Sequence, residues 1–257
     1  MAGVGLLLAT AATAQQKEGK VVYERSVQMS MAFSQNGAPA ETQTHTRTNR
    51  FELNFANNKM MWKQLEDELP DDNMASGGMV IRTIGGGADD ATFCDFDAAK
   101  KVEQREFFDK KFLVTDSIRR GNWKLSEETK MILNRPCRKA VSQRIGKRSS
   151  VTMENGQMVR KEVDYTSTVV AWFTIDIPVP AGPELQGQLP GLILEMETNN
   201  GRTVYKAIEI GPKADLSAIK EPTKGKKVTT QEFANERNKM LDEMQRNNGG
   251  NFRIRMN

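Results

Sequence analysis

The chain has 257 residues, 38% of them hydrophobic and 27% charged, and a formal net charge of +4. That length supports one sizeable core, and that composition excludes a disordered chain. Lys and Arg are scattered and nearly matched by Asp and Glu (37 against 33), which excludes the clustered basic footprint of a nucleic-acid binder.

Residues 4–14 are apolar and small and end in Ala12-Thr13-Ala14, followed by Gln15-Gln16-Lys17. This is the pattern of a cleaved signal peptide spanning residues 1–14, although the usual positive start is missing. The stretch is too short to cross a bilayer, and no later segment is apolar for long enough to do so. No Cys stands at the cleavage point to carry a lipid. The expected mature chain begins near Gln15, is periplasmic or secreted, and is not an integral membrane protein.

From residue 21 the pattern is β. Val21, Tyr23, Val27, Met29, Met31 and Phe33 alternate on one face, interrupted only by Arg25. After Asn36-Gly37, Thr42, Thr44, Thr46 and Thr48 line one side of a second extended segment, and Phe51, Leu53 and Phe55 the other. Branched threonine suits a pleated, half-exposed face, so these two runs predict a long hairpin. Residues 59–69 read as either helix or strand. Loops at 71–78 and 85–90 bracket a short strand at 79–84. Phe107, Phe108 and Phe112 are expected to supply core contacts.

Two Asn-Gly pairs, Asn155-Gly156 and Asn200-Gly201, stand between β-patterned runs and predict tight hairpin turns. Between them runs a long strand with Val159, Val163, Tyr165, Val169, Ala171, Phe173, Ile175 and Ile177 on one face. Residues 213–228 are basic and polar and read as a linker. Thr229 then caps a helix, Glu232 completes a capping box, and Val228 can staple onto Phe233. Phe233, Met240, Leu241 and Met244 form its apolar stripe, and Asn248-Gly249-Gly250 ends it. A flexible tail is expected from residue 249.

Residues that carry chemistry are scarce. A Ser or Cys triad needs a base beside its nucleophile, and the one histidine, His45, lies among threonines in a strand. Triad hydrolysis and histidine-rich metal sites are therefore excluded. Glu195 and Glu197 share a strand face and Asp176 precedes a bend, which leaves carboxylate chemistry open. The 14 methionines follow no Met-x-x-Met series with histidine and read as core filling. No cofactor and no metal are expected. Cys94 and Cys137 suit an oxidising compartment either as a disulfide or as separate buried thiols.

One block is distinctive. Ala171-Trp172-Phe173-Thr174 leads into Ile177-Pro178-Val179-Pro180-Ala181-Gly182-Pro183, then Gln188-Leu189-Pro190-Gly191-Leu192-Ile193. Pro178, Pro180 and Pro183 force an extended stretch, and Pro190-Gly191 has the residue preferences of a type II turn. Leu192 and Ile193 then re-enter the sheet. The block reads as a structural corner with Trp172 packed beneath it; the alternative is the lip of a groove in which Trp172 or Leu189 touches a ligand.

With Phe112-Leu113-Val114-Thr115-Asp116, Trp123-Lys124-Leu125, Thr129-Lys130-Met131-Ile132-Leu133 and Cys137-Arg138-Lys139-Ala140 upstream in the same order, the block resembles the GLPGLI family of exported bacterial proteins. Gln188 replaces the first glycine of that signature, and Asn134-Arg135-Pro136 stands where Gly-Tyr is usual. The resemblance implies export and a β fold, and it implies no reaction, because the family is named for a motif.

The expected fold is mainly β: a large curved antiparallel sheet over residues 15–212, half-open like the barrels of lipoprotein-carrier proteins, with a C-terminal amphipathic helix at 229–248. The expected function is that of an exported, non-enzymatic binding or accessory protein of the cell envelope. Its partner would be an outer-membrane transporter or envelope component, or an apolar or peptide ligand. A carboxylate-dependent hydrolase and a purely structural secreted protein are the alternatives.

Overall fold

The structure, a computed structural model, describes residues 15–33, 41–65, 89–154 and 157–247. The expected signal peptide, the Asn36-Gly37 and Asn155-Gly156 corners, the strand at 79–84 and the tail from residue 249 lie outside them.

Among the described residues twelve strands form one sheet. In chain order they are β1 (Gly19–Phe33), β2 (Glu41–Ala56), β3 (Lys59–Gln64), β4 (Ala91–Asp95), β5 (Lys100–Phe107), β6 (Lys110–Ser117), β7 (Lys124–Ile132), β8 (Arg135–Glu154), β9 (Gln157–Thr174), β10 (Leu192–Thr198), β11 (Thr203–Gly211) and β12 (Lys226–Thr229). Their spatial order is β12-β6-β5-β4-β3-β2-β1-β11-β10-β9-β8-β7. The sheet is curved and unclosed, and every pairing is antiparallel except that of β12 with β6. Residues 59–64, ambiguous in sequence, are strand.

Tight turns set the registers. Asn57-Asn58 and Leu133-Asn134 each join paired strands through two residues with φ of 50°, 55° and 48°, 60°. Two consecutive positive φ angles give the twist that matches the flanking strands. Between β10 and β11 Thr198 lies opposite Thr203 across the four residues 199–202, so the corner is centred on Asn200-Gly201 as expected, with φ of 53°, 58° and 81° at Asn199, Asn200 and Gly201. The Gly201 N–H is bonded to the Thr198 carbonyl at 3.1 Å. Strands β8 and β9 pair as far as Glu154 opposite Gln157.

How far the sheet bends follows from one connection. Residues 118–123 carry the chain from β6, next to one end of the sheet, to β7 at the other. An extended chain rises at most 3.6 Å per residue, so these ends lie within about 25 Å.

Inside the bend sits the chain's own proline–glycine segment. Ile177, Val179, Ala181, Leu185 and Leu189 are buried in one cluster with Val21, Tyr23, Leu53, Phe55, Met60, Trp62, Ala171, Phe173, Met196 and Ala207. The long strand ends at Thr174, and the chain bends there, so Ile175 is 54% exposed instead of continuing the apolar face. A buried irregular segment must satisfy its own backbone. Proline reduces that need by lacking an N–H, and several of the segment's carbonyls are paired: Ile177 accepts from Leu192 N–H, Ala181 from Ile193 N–H and Pro180 from Gly187 N–H. The predicted corner is thus an internal plug.

The expected linker is also packed. After β11 the chain crosses the other face of the sheet, where Ile219 covers Met61, Ala91 and Phe93. The Asn54 side-chain oxygen accepts the Asp215 N–H, and Lys100 pairs with Glu221 at 2.7 Å. Its basic composition marks a solvated strap, which ends in β12 as part of the sheet.

Helix α1 (Thr230–Asn247) then folds back, placing Phe233, Met240 and Leu241 against Phe107, Phe112, Val114 and Val228. Phe108, expected in the core, is 50% exposed because it occupies the β5–β6 turn at φ 55°. The capping box forms: Glu232 N–H donates to Thr229 Oγ1 at 3.2 Å, and Thr229 N–H to Glu232 Oε2 at 2.7 Å. The Thr229 backbone N–H, and after it the Thr229 side chain, hold the Glu232 carboxyl below its ordinary pKa. A depressed folded-state pKa gives stability that is present above the unfolded carboxylate pKa and lost as pH falls through the folded value. Thr229→Ala is expected to cost about 1 kcal/mol in urea denaturation at neutral pH, and less below the carboxylate range.

Candidate functional site

At the rim of the plug the buried interior meets charged side chains. Residues 182–188 form a tight turn in which Gly182 and Gly187 have φ of 153° and 76° and Glu184 a φ of 50°. Gly187 supplies a left-handed position directly before Gln188, which accordingly does not need one. Gln188 Oε1 accepts from Trp123 Nε1 at 3.2 Å, tying the 118–123 connection to the plug.

Glu184 extends from this turn toward β11 and β8. Tyr205, 4% exposed, donates its hydroxyl to Glu184 Oε1 at 2.7 Å, and Arg144 Nη1 donates to Glu184 Oε2 at 3.3 Å. Burial, and then the Glu184 charge, push the Tyr205 phenol well above its ordinary pKa. Beneath it, Tyr205 joins an aromatic group with Phe51 and Trp62, whose rings stack at 5.0 Å. Arg25 lies over Phe51 at 4.8 Å and donates to Asn49 Oδ1 at 2.9 Å. Beside the group a shallow cleft of about 210 Å³ is lined by Asn122, Trp123, Ser142, Arg144, Leu185 and Gln188.

The residues singled out in the sequence lie elsewhere. Trp172 is half-buried, packed against the core, with Lys130 Nζ 4.3 Å from its ring centroid. Leu189 is 4% exposed within the plug. Neither lines the cleft. Pro190-Gly191 does not make the type II turn expected, since Gly191 has no positive φ; glycine is required there because an added Cβ would lie 2.1 Å from the Thr174 carbonyl oxygen. Of the rim residues only Arg25 left a trace in the sequence, as the charge interrupting an apolar stripe. Glu184, Arg144 and Tyr205 have no shared motif and meet through strand pairing.

Cys94 and Cys137 are separate buried thiols in the structure. They lie on β4 and β8, which are not neighbours in the sheet. Burial pushes Cys94 up to about 12 and Cys137 up to about 11. Because the thiolate is the reactive form, both thiols are expected to resist a disulfide reagent at pH 8 in the folded chain and to react fully in guanidinium. A mass short by two hydrogens would show instead that they pair.

Glu195 is held by Lys130 at 2.6 Å. Lys111 holds Asp89 below the ordinary carboxylate range, the Ala98 N–H does so for Asp95, and Lys139 for Glu128. Among the described residues no group of His, Cys, Asp and Glu is arranged to hold a metal, and no helix is long and apolar enough to cross a membrane.

A curved, unclosed sheet whose interior is filled by its own chain, with a charged rim, is the class of protein defined here. Residues 123–195, from the rim tryptophan through the plug into β10, match the model of a family described as "Protein of unknown function (Porph_ging)". Two solved structures, "Structure of PNGF-II in P21 space group" and "Structure of PNGF-II in C2 space group", resemble the fold at TM-scores of 0.50 and 0.51. Sequence identity is 16% and 17%, over 85% and 86% of this chain. The chain spans 32% and 33%, about a third, of those chains. No curated protein matches.

Proposed function

We propose that this chain is an exported, non-enzymatic accessory module of the cell envelope that binds a peptide segment of a partner at its rim. The observation that carries this reading is the plug: Ile177, Val179, Ala181, Leu185 and Leu189 are buried in the main core, which favours the surface over the interior for a ligand. The cleft beside Trp123 and Arg144 offers concave, partly aromatic surface for such binding. The pattern of residues 4–14 supports export. The resemblance to the GLPGLI family supports the envelope, with an outer-membrane transport system as the class of partner. The carboxylate hydrolase reading ranks lower because Glu195, one of its candidate groups, is paired with Lys130 at 2.6 Å.

Native mass spectrometry on the chain purified from its own host tests the reading. The expected spectrum shows cleavage near Ala14 and a companion polypeptide. Mass added by lipid, together with a saturable tryptophan fluorescence change on adding a long-chain fatty acid, would overturn it in favour of an apolar-ligand carrier.

A further inference from the structure

The rim group contains more donors than its own acceptors use. Arg25 Nε is buried and has no hydrogen-bond partner. A buried donor left without an acceptor is costly, and an isolated case calls for a reason. Arg144 pairs with Glu184 directly, and Arg25 acts on the Tyr205 phenol that donates to Glu184, so both guanidiniums stand at one hydroxyl–carboxylate pair. Glu184 itself is only partly covered, with 38% of its side chain exposed, and it hangs from a left-handed backbone position. Such a conformation costs free energy in a residue other than glycine and persists only where contacts enforce it. The contacts that enforce it are the Tyr205 hydroxyl and the Arg144 guanidinium. Arg144 also lines the cleft, so one of the two donors holding Glu184 already faces open space.

We propose that Tyr205, Arg144 and Arg25 form a carboxylate-binding subsite that Glu184 fills from within, and that a ligand carboxylate takes the place of Glu184 there. The body of the ligand then lies against Trp123 in the cleft, where the Gln188 side-chain amide, its oxygen already accepting from Trp123, keeps its NH2 as a donor. Guanidinium and phenol donors aimed at two oxygens of one group match a carboxylate better than a neutral amide. The carboxylate has two sources, a peptide C-terminus or an Asp or Glu side chain. This inference deepens the peptide-binding reading and rests on it only for the partner being a peptide.

The test is binding of three small probes to the full chain: triglycine, triglycine amide, and N-acetyl-aspartyl amide. Glu184→Gln removes the internal competitor and, because the side chain is at the surface, is expected to keep the fold. It should bind a carboxylate probe about tenfold tighter than the natural chain does, since a self-occupied site lowers apparent affinity by its free fraction. Preference for triglycine assigns a C-terminus, and preference for the aspartyl probe assigns a side chain. Arg144→Gln should abolish binding of both. In the natural chain, sodium acetate should shift the Arg25 and Arg144 Nε–H resonances saturably, where sodium chloride of equal ionic strength does not. Equal binding of the amide, no gain in Glu184→Gln, or identical acetate and chloride responses would each overturn the subsite. The companion polypeptide in native mass spectrometry would be unaffected by that failure, so the two readings fall separately.

Discussion

Gly191→Ala is expected to destabilise the protein by about 3 kcal/mol or more, the upper range for forcing atoms into a closed site. The added methyl would meet the Thr174 carbonyl oxygen at 2.1 Å, the Thr174 carbonyl carbon at 2.9 Å and the Ile175 Cα at 3.3 Å. All three are backbone atoms at the point where the chain leaves β9, so no side-chain rotation relieves the clash. Either the plug lifts or the end of β9 moves, and both expose Leu192 and Ile193, which are at most 1% exposed. The matching fall in melting temperature is roughly 6–12 °C for a domain of this size. Gly211→Ala is the control, because its nearest neighbour, the Lys20 carbonyl oxygen, is 3.7 Å away; its melting temperature should stay near that of the natural chain. Equal effects from the two changes would show that close approach is not what Gly191 provides.

Leu189→Ala separates the two sequence-based roles of its block. Buried at 4% exposure in the plug, it should cost about 3 kcal/mol by urea denaturation, as removal of a core leucine side chain does. At the lip of a groove the same change would weaken ligand binding and leave stability almost unaltered. Ile145→Ala provides the baseline, since Ile145 is 82% exposed and surface substitutions of this kind stay within about 0.5 kcal/mol. A Leu189 effect no larger than that of Ile145 would return the residue to the surface.

These two residues also show what the sequence could and could not disclose. Alternation along β1, β2 and β9 was legible because a strand with one buried face must repeat every second residue. The helix was legible because Thr229, Glu232, Val228 and Phe233 act within a single turn. The location of the plug was not, since proline and glycine report local shape and say nothing of what a segment packs against. Ile175 illustrates this: it keeps the alternation of β9, yet the chain has already turned away. Phe108 looked like core and lies in a turn, because a two-residue corner overrides hydrophobicity when the register demands it. The strap at 213–225 looked like a linker because the side it turns to water is basic. At the rim, Arg25 was visible as an interruption, but its meaning depends on Tyr205, Glu184 and Arg144, which come together only once β1 pairs with β11 and the plug is seated.

That last pairing has a temporal consequence. Val21 lies opposite Ile210 and Val27 opposite Thr203, so the middle of the sheet joins the beginning of the fold to a stretch synthesised near its end. As the polypeptide emerges from the ribosome, the first six strands can zip into hairpins, but β1 keeps a bare hydrogen-bonding edge until Gly211 has appeared. Contacts of such sequence separation slow folding and leave an adhesive border in the interim. A chain cut short before residue 203 would therefore lack its central seam, and would be expected to aggregate where a chain missing only α1 would stay in solution.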